Sequence, residues 1–330
     1  MKAQDRYPQL QPIQDLENAT ELYKRVVKGT AFANAGSSVI AGKMPDVLEL
    51  EDKIRRLETE IREQLHRHRG TEAQLEVTKA NRELLLKQQN LRHLLDRVCE
   101  PAQKELLSEG CLLASFDSHT LEDAFVMSID IRRSTELMLK AREPELFADF
   151  ITALCIRLGG IIVDNLGVFD KFTGDGILAF FPTFFSGEDA GYRAVKAADE
   201  CHEAFRSHYQ ANRRCFTAVL KDTGLGIGID FGKIRLVRVR GELTVVGTPV
   251  VYACRLGDAE AGYTLLNQPA YEQVFDKYGA YCRFDETSLC FKHEGEVAAY
   301  RVRLNEKIRN CVAPLWLTEA AIEPRENRSD

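Results

Sequence analysis

The chain has 330 residues, 45% of them hydrophobic and 28% charged, with a formal net charge of −6. That is enough for one large core or two modest domains, and the acidic balance excludes a chain built to grip a nucleic-acid polymer. The nine cysteines are odd in number and irregularly spaced, with no CxxC, which reads as reduced thiols. The opening MKAQDRYPQLQP lacks the apolar core of a secretory signal. No apolar run reaches the roughly 18 residues of a membrane helix. The expectation is a cytoplasmic protein with neither nucleic acid nor membrane as partner.

In chain order, residues 1–45 are mixed, with a short helix expected over Asp15–Lys28 and a small-residue linker after it. From Pro45 to Glu109 charges of both signs are dense. Apolar residues fall at Ile54, Leu57, Ile61 and Leu65, then at Leu84, Leu91, Leu94 and Val98. Those spacings predict long amphipathic helices. A dimerising coiled coil over 46–110, broken near HRHRG at 66–70, is expected, with a helical hairpin packed on its own domain as the alternative.

From Leu121 to Arg303 the pattern alternates. AFVMSIDI is a buried strand. Glu143–Leu158 has helical period. GGIIVDNLGVFDKF and TGDGILAFF read as a hairpin, and Ala190–Tyr209 as an amphipathic helix. GLGIGIDFGKIRLVRV and ELTVVGTPVV read as strands, followed by the helix VYACRLGDA, and LCFKHEGEVAAYRV closes as a hairpin. The fold class is therefore α+β, a largely antiparallel sheet with helices on its faces. The domain expected over 121–303 is followed by a polar, frayed tail over 304–330.

Two acidic residues stand out. Asp130 ends a buried strand in SIDIRRST, and Asp175 sits in the tight TGDG turn. A carboxylate at the end of an apolar strand is costly to desolvate unless something neutralises it. Converging carboxylates suit a hard cation with oxygen ligands. The plainer alternative is that Asp130 caps the next helix and Asp175 is ordinary turn chemistry.

SIDIRRST, KFTGDGILAFF, GLGIGIDFGK and TVVGTPVVYACRL, in this order and spacing, resemble the catalytic domain of class III nucleotide cyclases, over about Phe125 to Arg303. The resemblance implies a ferredoxin-like core and two Mn²⁺ or Mg²⁺ ions on Asp130, Asp175 and the Ile131 carbonyl. It also implies Lys171 and Thr244 as readers of the base edge and Arg255 as the transition-state cation. The backbone over Ile131–Thr135, with Arg132 beside it, would cradle the triphosphate. Family members build the site across a homodimer, with the metal-binding carboxylates on one protomer and Lys171, Thr244 and Arg255 on the other.

Three positions depart from the family pattern. Val251 stands where a ribose-orienting Asn is usual, Gly226 where a phosphate arginine is, and Thr244 where the second base-reading residue is often Asp. With bulky Phe125 expected to narrow the base pocket, these departures look like the pyrimidine cyclases of Pycsar anti-phage systems. That implies UTP or CTP as substrate, UTP favoured, and a separate effector that senses the cyclic nucleotide. An adenylate cyclase and a catalytically silent cyclase-like module are the alternatives.

Overall fold

The computed structural model describes residues 52–60, 91–92, 94–108, 111–117, 120–239, 242–291 and 295–319. The chain divides into two compact units, Met1–Arg92 and His93–Asp330. In the first, residues 52–60 and 91–92 are helical. The helix expected over Asp15–Lys28, the break at 66–70 and most of the coiled-coil pattern lie outside the described residues.

The second unit is built on an eight-stranded sheet. Its strands are β1 (Glu122–Arg132), β2 (Val168–Phe172), β3 (Ile177–Pro182), β4 (Gly224–Val239), β5 (Glu242–Val246), β6 (Tyr263–Asn267), β7 (Cys282–Phe291) and β8 (Gly295–Leu304). They are ordered β2-β3-β1-β4-β6-β8-β7, with β5 folded back on β4. Only β4 and β6 run parallel; every other pairing is antiparallel. The helices are α1 (Glu100–Leu107), α2 (Cys111–Asp117), α3 (Ser134–Leu139), α4 (Pro144–Asp164), α5 (Thr183–Ser186), α6 (Ala190–Ala211), α7 (Thr248–Leu256), α8 (Gln268–Tyr278) and α9 (Leu315–Glu319).

Side chains alternate faces along β1. Phe125, Met127, Ile129 and Ile131 enter one core with buried residues of α4, α6 and α8. Ala124 and Val126 enter the opposite core, with Ala102, Leu106, Phe116 and Trp316. Leu94 and Val98, counted in the heptad pattern, are buried in that second core. They belong to the compact unit that begins at His93.

The α+β architecture is as expected, with four local differences. Residues 159–164 continue α4, because Leu158 and Ile162 lie one turn apart and both are buried. That helix has 21 residues, and its most apolar 18-residue window has a mean hydropathy of 2.0, long and apolar enough to cross a membrane by those measures. Its Phe150, Leu154, Leu158 and Ile162 pack into the core. Helix α7 begins at Thr248, within the stretch expected as strand, with Pro249 in its first turn where a missing N–H costs nothing. β6 and α8 had no expectation. The fourth difference is the tail. Arg309 donates to Asp189 through Nε (3.0 Å) and Nη2 (2.8 Å), and the Val312 N–H donates to the same carboxylate at 2.7 Å. Trp316 is buried, stacks on Phe185 with centroids 5.2 Å apart, and donates Nε1–H to the Phe185 carbonyl at 2.7 Å.

The face of β4 beneath α7 is stripped of side chains. A Cβ on Gly228 would lie 2.2 Å from the Ala253 carbonyl oxygen, and one on Gly226 would lie 2.5 Å from those of Gly257 and Ala259. The helix backbone therefore rests directly on the strand. Asp230, further along the same face, is buried and accepts from the Phe231 N–H at 2.8 Å and from Asn267. Burial pushes its carboxyl up to about 6.

Two predictions follow from this packing. Trp316→Ala should cost about 3–5 kcal/mol, as large aromatic truncations in cores do; urea unfolding followed by circular dichroism measures it, and a loss within error of zero would mean that the tail is not docked. Asp230 binds its proton more tightly folded than unfolded, so it adds stability as pH falls from above 6 towards 4. Asp230→Asn should therefore stabilise the protein at pH 8 by about 1–3 kcal/mol and flatten that pH dependence, read from unfolding midpoints.

Candidate active site

β1 is paired on both edges, Ile129 with Ile177 of β3 and with Ile227 of β4. This brings its C-terminal end beside the turn between β2 and β3. That turn is drawn in tightly. Gly174 has φ +82°, and a Cβ on Gly176 would fall 2.4 Å from the Ile129 carbonyl oxygen. The Thr173 N–H donates to the Gly176 carbonyl at 3.0 Å. Asp175 therefore stands close enough to Asp130 for its charge to act on it.

The two carboxylates interact. Burial raises the Asp130 carboxyl above its ordinary range, the neighbouring Asp175 charge raises it further, and Arg132 pulls it back. Arg132 Nη1 donates to Asp130 at 2.6 Å and to Asp258 at 3.1 Å. The Ser134 hydroxyl, at the start of α3, donates to Asp175. Just before it, Arg133 adopts a left-handed backbone (φ 63°), braced by its guanidinium on Glu136 and the Lys221 carbonyl.

Among the described residues, no group of three or more His, Cys, Asp or Glu gathers as a metal site. The protein's own donors here are two carboxylates and nearby backbone oxygens. That set fits Mg²⁺ or Mn²⁺, which keep water and substrate phosphates in their shells. It also fits the mutual repulsion of Asp130 and Asp175, which a cation would relieve.

Lys171 and Thr244 form a second cluster. The β2 register shifts between Phe169 and Lys171. Such a bulge re-aims side chains, and here both Asp170 and Lys171 reach Thr244. Lys171 Nζ donates to Thr244 Oγ1 at 3.0 Å, and Thr244 donates to Asp170 Oδ2 at 2.9 Å. Lys171 also pairs with Asp170 at 3.5 Å. β3 lies between β1 and β2, so the two strands that carry Asp130 and Lys171 are about 10 Å apart.

Arg255 is half-buried on α7, its guanidinium 5.5 Å from the centre of the Tyr252 ring. Val251 is exposed on the same helix. Ile131 pairs with Leu225, its side chain in the core. Gly226 cannot be exchanged for an arginine without displacing the α7 C-terminus.

Phe125 is withdrawn from the site. It is buried with its ring 4.6 Å from that of Phe231 and packed against Gly191 of α6. Five residues separate it from Asp130, so strand alternation sends the two to opposite faces. Its ring lies in the core, on the face of β1 away from Asp130. Arg97, Asp170 and Asp258 went unassigned in the sequence reading, and only Asp170 had a local signal, its place beside Lys171 in FDKFTGDG.

No protein-family model and no curated protein sequence matches the chain. Solved structures do. The adenylyl cyclase CyaB from P. aeruginosa superposes with a TM-score of 0.50 at 21% identity, covering 58% of this chain and 98% of that one. The guanylyl cyclase Cya2 superposes with a TM-score of 0.51 at 22% identity, covering 59% and 99%. The fold is that of nucleotide cyclase catalytic domains.

If the carboxylate pair holds a cation, Mn²⁺ should raise the thermal midpoint of the wild type. A concentration of about 100 Kd adds roughly 2.7 kcal/mol. Asp130→Asn and Asp175→Asn should each lose most of that gain. An equal shift in both variants would place the ion elsewhere.

Proposed function

We propose that the chain is a nucleotide cyclase that converts a nucleoside triphosphate into its 3′,5′-cyclic monophosphate and pyrophosphate. The observation that carries this reading is the approach of Asp130 and Asp175 at the end of a doubly paired strand, within a cyclase-like fold. Asp130 and Asp175, with the Ile131 carbonyl, would hold two divalent ions, Mn²⁺ or Mg²⁺. Such ions, when bound, acidify the ribose 3′-hydroxyl and neutralise the phosphates. Arg132 would then leave Asp130 for a triphosphate oxygen, and the N–H groups that open α3 would bind its neighbours. Arg255 would offset charge at the α-phosphorus as the 3′-oxygen attacks and pyrophosphate leaves. Lys171 and Thr244 present a donor and a hydroxyl to a base edge.

The separation of β1 from β2 favours a site shared between two copies, with the carboxylates from one protomer and Lys171, Thr244 and Arg255 from its partner. A homodimer supplies both halves, and upstream helices that dimerise would raise their effective concentration.

For the base, we read a pyrimidine, UTP ahead of CTP, and a signalling role in bacterial anti-phage defence through a separate effector. This rests on the sequence resemblance and on Thr244 standing where Asp is common. The placement of Phe125 favours a second reading, adenylate cyclase, since the residue expected to exclude a purine lies in the core.

Purified protein with Mn²⁺ and each of ATP, GTP, CTP and UTP should form one dominant cyclic product, identified by mass. Asp130→Asn or Asp175→Asn should cut its formation by more than about a hundredfold, as should Arg255→Ala. Cyclic AMP as the main product would replace the pyrimidine reading. Substantial activity in either Asp variant would sink the metal assignment.

A further inference from the structure

Lys171 and Thr244 stand on different strands, and neither β2 nor β5 pairs with the other. Arg97 closes the gap. It lies on the segment that leads into α1, and its carbonyl accepts from the Phe169 N–H of β2 at 3.0 Å. Its guanidinium donates to the Leu243 carbonyl of β5 and, at 2.7 Å, to Glu242 of the same strand. The same guanidinium lies 3.6 Å from Asp170 Oδ1. Arg97 thus touches the residues directly before Thr244 and the residues directly before Lys171.

Asp170 is the other half of the clamp. Its side chain is fully buried. Oδ2 accepts from Thr244 and faces Lys171, while Oδ1 has no hydrogen bond among the described residues and lies beside the Arg97 guanidinium. An acid buried this deeply must be held by its cations. Its surroundings are the two groups that would face the base and the one arginine that ties their strands together.

We propose that Arg97 and Asp170 are a positioning pair that sets nucleobase selection, fixing the spacing and direction of Lys171 and Thr244. This rests on the cyclase reading for the nucleoside triphosphate as ligand and for Lys171 and Thr244 as the pair that faces its base. A base-reading pair discriminates through hydrogen bonds of fixed geometry, and loosening the geometry erodes discrimination before it erodes chemistry.

The test uses the full-length protein and the variants Asp170→Asn, Arg97→Gln and Arg97→Lys. Titration calorimetry with ATP, GTP, CTP and UTP, each with Mn²⁺, gives the affinity ratio between the preferred base and the next. Cyclisation kinetics give KM and kcat. Asp170→Asn and Arg97→Gln should shrink that ratio at least about tenfold, with the loss in KM larger than that in kcat. Arg97→Lys should restore part of it. An unchanged ratio in both variants, or an equal loss for all four nucleotides, overturns the proposal and leaves a structural clamp. A wild type that prefers one base in binding yet forms no cyclic product refutes the cyclase reading, and the binding ratios still decide the role of the pair. A wild type without base preference refutes the proposal directly. If Asp170→Asn does not fold, the two Arg97 variants decide alone.

Discussion

The double pairing of β1 is the constraint on which the rest of the unit depends. The strand pairs with β4 along its whole length, Glu122–Arg132, and with β3 over Ala124–Ile129. Its backbone groups are thereby satisfied inside the protein, and its two faces are free to seed two separate cores. Its register with β3 puts the Gly174–Gly176 turn against its last residues. Its register with β4 puts the glycine stripe of Gly226 and Gly228 where α7 must lie. A slip of one residue would send Asp130 into the core and Ile129 or Ile131 to the open end of the sheet.

The acids of this unit meet burial in different ways. Asp189 is nearly buried but accepts from Arg309 and Val312, and these bonds hold its carboxyl below the ordinary range despite burial. Burial raises the carboxyl of Asp230 against the pull of its two partners, a backbone N–H and an amide. Asp130 has an arginine, yet a second carboxylate offsets that help. Asp170 has an arginine, a lysine and a hydroxyl, and burial still prevails.

The clamp at Arg97 also bears on how the unit is wired. The segment through which the chain enters the domain touches the strands of the proposed base-reading pair before it touches anything at the carboxylate end.

Much of this was legible in the residues. The alternation of AFVMSIDI, the glycines of TGDG and the acid at each strand end marked Asp130 and Asp175 as candidates and made the hairpin of β2 and β3 legible, because local pattern and turn chemistry decide a hairpin; it was the family resemblance that set the two acids side by side. The parity that removes Phe125 was legible too, since it needs only a count of five along a strand. Other features were not. Arg97 is one arginine among many in a helical, charged stretch, and its partners lie 73 and 145 residues away in sequence, at Asp170 and Glu242. The bulge that turns Asp170 and Lys171 towards the same hydroxyl leaves no mark in FDKF. The docking of Trp316 on Phe185 joins residues 131 apart in sequence, a contact that only packing creates. The sequence by itself determined which segments alternate, which turn and where acids end buried strands, because those depend on neighbours along the chain. Only the tertiary structure decided which distant side chains share a charge, because burial and register are properties of the assembled sheet.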